Sequence, residues 1–239
     1  MANSLDKTEA GSRTWIYVGV AAVIVVGVLA WFLIRKPGGQ DSAAVDTTPT
    51  VSFDARQDTL GVSLGSPQAK VVVREFADYE CPACGGFEPV LEQMRKDYVD
   101  TGGVRFVFFD YPLEDLHPHA MVAAQAARCA GVQGHYWEMH DMLYAKQQDW
   151  AKEADPTSKF QSYANDLKLD SLALLGCLRN GATRQAVRKS QQYGDLLGLH
   201  ATPSYAVNGI GRAGGITYDE LKVLVQHELA ATGNGAAKN

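Results

Sequence analysis

Residues 69–98 read AKVVVREFADYECPACGGFEPVLEQMRKDY, and the change of apolar spacing inside this stretch decides the fold. Lys70 to Phe76 is a β-branched run, bounded upstream by Gly65, Ser66 and Pro67 and downstream by a polar turn, and it predicts a buried strand. After ADYE the period changes: Phe87, Val90, Leu91, Met94 and Tyr98 recur at helical spacing, so CPAC opens a helix directly after a strand. The first turn of a helix carries unpaired N–H groups and the positive end of the macrodipole, and both stabilise a thiolate. Cys81 is therefore expected to be acidic and nucleophilic. A free thiol titrates near 8.5, whereas cysteines of CxxC pairs at helix starts fall to roughly 3.5–7.5. Cys84 stands one turn on, within disulfide reach, and Pro82 suits a position whose missing N–H costs nothing. Pro89 sits inside the helical period and should kink it by crowding the carbonyl of Gly85.

Two other readings of Cys81 and Cys84 compete with this one. A zinc site needs four ligands, usually from a second close pair, yet Cys129 and Cys177 stand singly and far apart. His117 and His119, or His135 and His140, show no HExxH spacing. A pair of inert core cysteines is the other reading. Redox chemistry fits the strand–turn–helix setting better than either, and no metal or cofactor is expected.

Working outward, Val104 to Asp110 is a second strand after the turn at Gly102 and Gly103, giving a βαβ unit. From Leu113 to about Leu199 the pattern is helical and Ala-rich, an inserted helical subdomain. A strand at Ser204–Val207, an Asn208-Gly209 turn, further strand near Arg212 to Ile216 and a helix from about Tyr218 complete a ββα half.

Upstream, Trp15 to Ile34 is a run of 20 residues without a charge. At 1.5 Å per residue it reaches about 30 Å, the thickness of a bilayer core, and predicts a transmembrane helix. A cleaved signal peptide fits less well, because an apolar signal core is shorter and this run ends in Arg35 and Lys36. The expected organisation is a cytoplasmic tail at 1–14, the span at 15–34, a flexible Gly/Pro/Ser/Thr linker at 35–56 and one domain at 57–239, with the helical insertion at about 113–199. Flanking charge does not orient the span. Four cysteines suit an oxidising compartment, which places the C-terminal domain outside the cell membrane, on the periplasmic or cell-surface side. The chain has 239 residues, 46% apolar and 21% charged, which excludes global disorder. Its formal charge is −5, and the part beyond residue 36 is more acidic still, which argues against nucleic acid as a partner.

A strand, CxxC at a helix start and a helix Pro five residues later look like the thioredoxin fold. EFADYECPAC, together with the helical stretch HPHAMVAAQAARCAGVQGHYWEMHDMLYA, resembles the DsbA-like family of extracytoplasmic thiol:disulfide oxidoreductases over roughly residues 60–230. The fold class expected is therefore α/β, a thioredoxin fold with a helical insertion behind one N-terminal transmembrane helix. The resemblance implies exchange at the Cys81–Cys84 pair, with Pro82 and Ala83 as neighbours. It implies a cis bond at Thr202-Pro203 facing the pair, where an extended substrate peptide would lie against the Thr202 backbone. It implies that Glu75 relays the proton of Cys84. A strand-edge Glu75 facing water with Arg74 inward is the other reading of alternation, and Asp78 and Glu80 read as surface charges around CPAC.

Some members of the family carry a second disulfide in the helical region, and Cys129 and Cys177 are the candidates here, two buried thiols being the alternative. Substrates would be unfolded or partly folded extracytoplasmic proteins bearing cysteines. Recycling would fall to a quinone-linked membrane partner resembling DsbB or a vitamin K epoxide reductase homologue, and the enzyme is expected to be a monomer. Introduction of disulfides is the direction favoured. A membrane-tethered reductase or isomerase is the close alternative, since Pro-Ala lacks the histidine of the family's strongest oxidants, and a chaperone-like binding module is the non-enzymatic one.

Overall fold

The computed structural model describes residues 45–47 and 50–235. The tail read at 1–14, the span read at 15–34 and the linker as far as residue 44 lie outside the described residues. Among the described residues, no helix is long and apolar enough to cross a membrane.

A five-stranded sheet forms the centre, made of β1 (Val62–Leu64), β2 (Val71–Ala77), β3 (Val104–Asp110), β4 (Ser204–Val207) and β5 (Ile210–Ala213) in the order β1-β3-β2-β4-β5. β2 and β3 run parallel, which requires a crossover, and α1 (Pro82–Met94) supplies it. The other pairings are antiparallel. Between β3 and β4 lie α2 (Ala120–Val132), α3 (Tyr136–Ala145), α4 (Gln147–Trp150), α5 (Thr157–Asp166), α6 (Ser171–Arg179) and α7 (Arg184–Leu196), and α8 (Tyr218–Gly235) follows β5. This is the βαβ, helical insertion and ββα order expected of a thioredoxin fold.

Every residue of β2 is buried, because helices cover both faces of the sheet, and a strand covered twice reads as a continuous apolar run. On one face Val72 and Phe76 pack with Val107, Phe109, Tyr111 and Tyr193 of α7, with the Phe76 and Phe109 rings stacked at 4.4 Å. The other face carries Glu75 and receives α1, where the Phe87 ring lies 5.8 Å from that of Tyr205, the residue opposite Glu75 on β4.

Arg74 and Glu75 are both buried, which disposes of the reading with Glu75 turned to water. Arg74 faces away from Glu75's side and donates to both carboxylate oxygens of Asp58, at 2.6 and 2.9 Å, while Arg105 shares the same acid. Asp58 sits in a short 3-10 turn, Ala55–Leu60, which sequence periodicity left unread, as it did β1.

Two boundaries move. β5 spans Ile210–Ala213 rather than Arg212–Ile216, because Asn208 takes a positive φ of 49° and makes a tight turn that lets Val207 pair with Ile210 at once. Gly214, at φ 86°, then ends the strand. The linker read through residue 56 is shorter as well. The Thr50 and Val51 amides donate to the Gly209 carbonyl at 2.8 and 3.0 Å, Arg212 donates to the Asp46 carbonyl, and Phe53 packs under the Arg74 guanidinium. From Asp46 onward the segment is fastened to the β5 edge wherever it is described.

Candidate functional site

β2 delivers its chain into a turn, Asp78-Tyr79-Glu80, that ends on Cys81 at the N-cap of α1 with extended backbone angles of −67° and 119°. Pro82 takes the first helical position and the Gly85 amide donates to the Cys81 carbonyl at 3.2 Å. The turn is clamped by a side chain of the helical insertion. Gln147 of α4 donates through Nε2 to the carbonyls of Tyr79 and Cys81, at 2.8 and 2.9 Å. A methyl on Gly85 would meet Gln147 Oε1 at 2.9 Å, so a side chain at Gly85 would crowd that clamp.

Asp78 and Glu80 are not surface charges. Asp78 is buried, and its carboxylate accepts from the Glu80 amide (2.8 Å) and the Leu113 amide (2.9 Å) and pairs with His117 Nδ1 (2.8 Å). Glu80 accepts from the His119 amide at 2.6 Å, and burial raises its carboxyl. These carboxylates are buried because each finds donors on the chain between β3 and α2.

Both thiols are free. Both residues are buried, Cys81 keeping 7% of its surface and Cys84 1%, so Cys81 is the less enclosed of the two. The Thr202-Pro203 peptide is cis, and the Cys81 sulfur lies 3.6 Å from the Thr202 carbonyl oxygen, to which it donates when protonated. The Thr202 hydroxyl is a buried polar atom with no hydrogen-bond partner among the described side chains and backbone. A hydrogen bond from the Cys84 thiol is the largest influence on Cys81. Together with the Thr202 side chain and the amides of Cys84 and Ala83, it outweighs burial and brings the Cys81 thiol down to about 5. Cys84 moves the opposite way. Burial pushes its thiol far up, and the hydrogen bond it gives Cys81 and the charge of Glu75 add to that. Pro82 and Ala83 are exposed at the rim.

Glu75 is buried, and its Oε2 has no partner among the described side chains or backbone. Desolvation holds its carboxyl well above the ordinary range, Glu88 raises it further and Arg95 opposes them. The structure thus brings Glu75, Cys81, Cys84, Thr202 and Pro203 to one place. Cys129 and Cys177 lie elsewhere, bridged across 48 residues with Cα atoms 6.0 Å apart.

Sequence reasoning missed Tyr79, Glu88, Arg95, His140, Tyr144 and Gln147. The Tyr79 hydroxyl meets His140 Nδ1 at 2.9 Å and the Tyr136 hydroxyl at 3.0 Å. Among the described residues one set of possible metal ligands comes together, Glu88, His140 and Asp141, with donor atoms within 4.8 Å. Arg95 already occupies it as a cation, donating to Glu88 at 2.9 Å and Asp141 at 3.1 Å, and neither cysteine belongs to it. An anionic sulfur at an opening, a protonated one behind it and a carboxyl beneath can together perform disulfide exchange.

The family model described as Thioredoxin matches residues 57–227. A probable disulfide bond formation protein D of Bacillus anthracis is 26% identical over 219 residues, covering 90% of this chain and 94% of that protein. The crystal structure of oxidised BdbD from Bacillus subtilis superposes with a TM-score of 0.67 at 26% identity, over 77% of this chain and 100% of that one. A Na(+)/H(+) antiporter NhaA 1 of Salinispora arenicola is 37% identical over 170 residues, which are 70% of this chain but 24% of the antiporter, so this chain spans about a quarter of that relative. Matched over most of its length, with a CxxC pair at the start of its first helix and a cis-proline beside the leading sulfur, the chain belongs to the thioredoxin family and is similar to disulfide bond formation proteins of the DsbA type.

Proposed function

We propose that the domain introduces disulfides into cysteine-bearing polypeptides outside the cytoplasmic membrane, to which the apolar run at 15–34 tethers it. A substrate thiolate attacks the Cys81 sulfur of the Cys81–Cys84 disulfide. Cys84 leaves as a thiolate and takes a proton from Glu75, and a second substrate thiolate then attacks the substrate sulfur and releases Cys81. The substrate loses two electrons and the enzyme pair gains them. A quinone-linked membrane partner would reoxidise it. Thr202, beside the leading sulfur, offers backbone for an extended peptide to pair with.

The observation that carries this reading is the placement of the two sulfurs, Cys81 at the N-cap of α1 beside the cis Thr202-Pro203 bond and Cys84 enclosed one turn behind it. A thiol at about 5 is more than nine-tenths thiolate at pH 7, so Cys81 is a good leaving group and the reduced state is favoured. Titration of the Cys81 thiolate, combined with equilibration against glutathione, tests it. Half-ionisation near 5 and a potential well above thioredoxin's roughly −270 mV support an oxidase. A potential near that value would make the enzyme a reductase, and an ionisation near 8.5 would remove the basis for either. Unchanged activity in Cys81→Ala would leave only a binding role.

A further inference from the structure

The chain leading into the cis bond borders a cleft of about 370 Å³ that the disulfide chemistry does not use. His200 lines it, two residues before Thr202 and so within about 7 Å of it along the chain. The stretch 112–116 after β3 lines it too, and the Leu113 amide of that stretch is bound by Asp78, in the turn before Cys81. From α7, Gln191 donates to the Pro112 carbonyl at 2.6 Å, so these sides are joined and the cleft is preformed. A peptide paired with the Thr202 backbone advances about 3.3 Å per residue, which brings its side chains to His200 and the cleft about two to four positions from its cysteine.

Its charges do not cancel. Arg188 pairs with Glu114, and Arg184 stands 3.9 Å from the same carboxylate. Asp115 is exposed, with no hydrogen bond or ion pair among the described residues. Asp195, also exposed, meets an uncharged partner, the Tyr111 hydroxyl, 2.8 Å from its Oδ1. That hydroxyl lies 2.6 Å from the Leu199 carbonyl as well, and Tyr111 is buried, so the carboxylate is held against the chain that runs into His200. Burial, and then Asp195 itself, push the Tyr111 phenol up to about 12, which keeps it a neutral donor. Leu116, in the same lining, is 72% exposed. An exposed leucine beside carboxylates that lack a cation suits a long basic side chain, whose methylenes cover the leucine while its head meets the acids. An acidic side chain would be repelled there, and an apolar one would take the carboxylates out of water without a partner. We infer that this cleft is a substrate subsite selecting a lysine or arginine near the reacting cysteine, with Asp195 as its fixed acid and Asp115 as its second. The inference rests on a substrate chain lying extended along Thr202, whichever way electrons flow.

The test uses the full-length protein with Cys84→Ser and with Cys81 joined to thionitrobenzoate. A peptide thiolate attacks the Cys81 sulfur, the Cys81–peptide disulfide forms, and thionitrobenzoate leaves as a coloured anion whose release gives the rate. Peptides with a single cysteine carry Lys, Gln or Glu at each of the four positions on either side. Each rate is divided by that of the same peptide with neutral dithiodipyridine, which removes the effect of Lys on the peptide thiol itself. On one side of the cysteine, Lys is expected to speed attack about two- to fivefold over Gln, the range of a partly exposed ion pair, and Glu to slow it by a similar factor. Added salt should shrink both effects. Asp195→Asn keeps an acceptor for Tyr111 but removes the charge, and should bring the Lys-to-Gln ratio close to one; Asp115→Asn should lower it in part. Asp166→Asn removes an exposed acid of α5 outside the cleft and should leave the ratio unchanged. Equal loss by Asp166→Asn would overturn the subsite in favour of general attraction to an acidic domain. Methylating the peptide amides beside the cysteine probes the reading underneath. Attack slowed by methylation, with no Lys preference at any position, would overturn the subsite while keeping the Thr202 track. Attack indifferent to methylation would remove that track first, and the subsite with it.

Discussion

The depressed Cys81 thiol has a consequence that can be worked in millivolts. Reducing the pair takes up two electrons and, while both sulfurs are protonated, two protons, so the potential falls about 59 mV per pH unit. Above the Cys81 value of about 5 only one proton is taken up, and the slope halves to about 30 mV. Cys84, pushed far above its ordinary value, adds no second break in the accessible range. Glutathione keeps the full slope until its own thiol ionises near 8.5. From pH 5 to pH 7 the enzyme disulfide should therefore gain on glutathione by up to two pH units' worth, about a hundredfold, 60 mV or 2.7 kcal/mol. Cys81 keeps a little exposed surface, and solvent screening there reduces the expected gain toward about tenfold.

The sign follows from linkage. The reduced protein's thiolate stabilisation is complete above the unfolded thiol value near 8.5, partial at pH 7 and lost as pH falls through about 5. Equilibration against glutathione buffers at stepped pH, with alkylation trapping and separation of the two forms, measures the constant. A value rising between tenfold and a hundredfold from pH 5 to 7, and level below 5, is expected. A constant indifferent to pH across that interval would mean that Cys81 is an ordinary thiol and that its place at the helix start does nothing.

Four further outcomes follow from burial. Glu75 has a raised carboxyl, so the native state keeps a proton that the unfolded chain releases above its ordinary carboxyl value, and stability falls as pH rises beyond that point. Glu75→Gln should stabilise the fold by roughly 1–3 kcal/mol at neutral pH and lose this advantage in acid, as read by urea unfolding. Asp58→Ala strands Arg74 and Arg105 and should cost about 3–5 kcal/mol in the same assay. Cys177→Ser opens a loop of 48 residues and, in the chain-entropy account, should cost about 4 kcal/mol, visible as a lowered denaturation midpoint under non-reducing conditions. Gly194→Ala would place a methyl 2.7 Å from two ring carbons of Tyr111, and a loss of about 1–3 kcal/mol in thermal unfolding is expected.

What the sequence disclosed follows how local the cause was. β3 is legible to the residue because Val104–Asp110 is a bulky run following a Gly-Gly turn, and the start of α1 is legible because CPAC interrupts one period and begins another. The Cys81–Cys84 pair was legible for the same reason, whereas the places of Glu75 and of the cis Thr202-Pro203 bond beside it were expected only from the family resemblance. β1 has three residues and is held by pairing with Phe106–Phe108, more than forty positions away, so no local pattern marks it.

The misreading of Asp78 and Glu80 shows where composition fails. A charge in a turn between strand and helix ordinarily meets water, and nothing within ten residues suggests otherwise. Their partners come from His117, His119 and the Leu113 amide, on irregular chain that has no periodicity to read. Gln147 and His140 reach the same turn from two helices of the insertion. Six hydrogen bonds from Leu113, His117, His119, His140 and Gln147 thus converge on the four residues before the helix start. A strand-to-helix turn held only by its own amides could swing the leading sulfur away from the Thr202 carbonyl; clamped from the insertion, it cannot do so without breaking buried hydrogen bonds worth about 1–3 kcal/mol each where a charge is involved. The insertion therefore acts on the chemistry by fixing the position of Cys81, although it contributes no reacting atom.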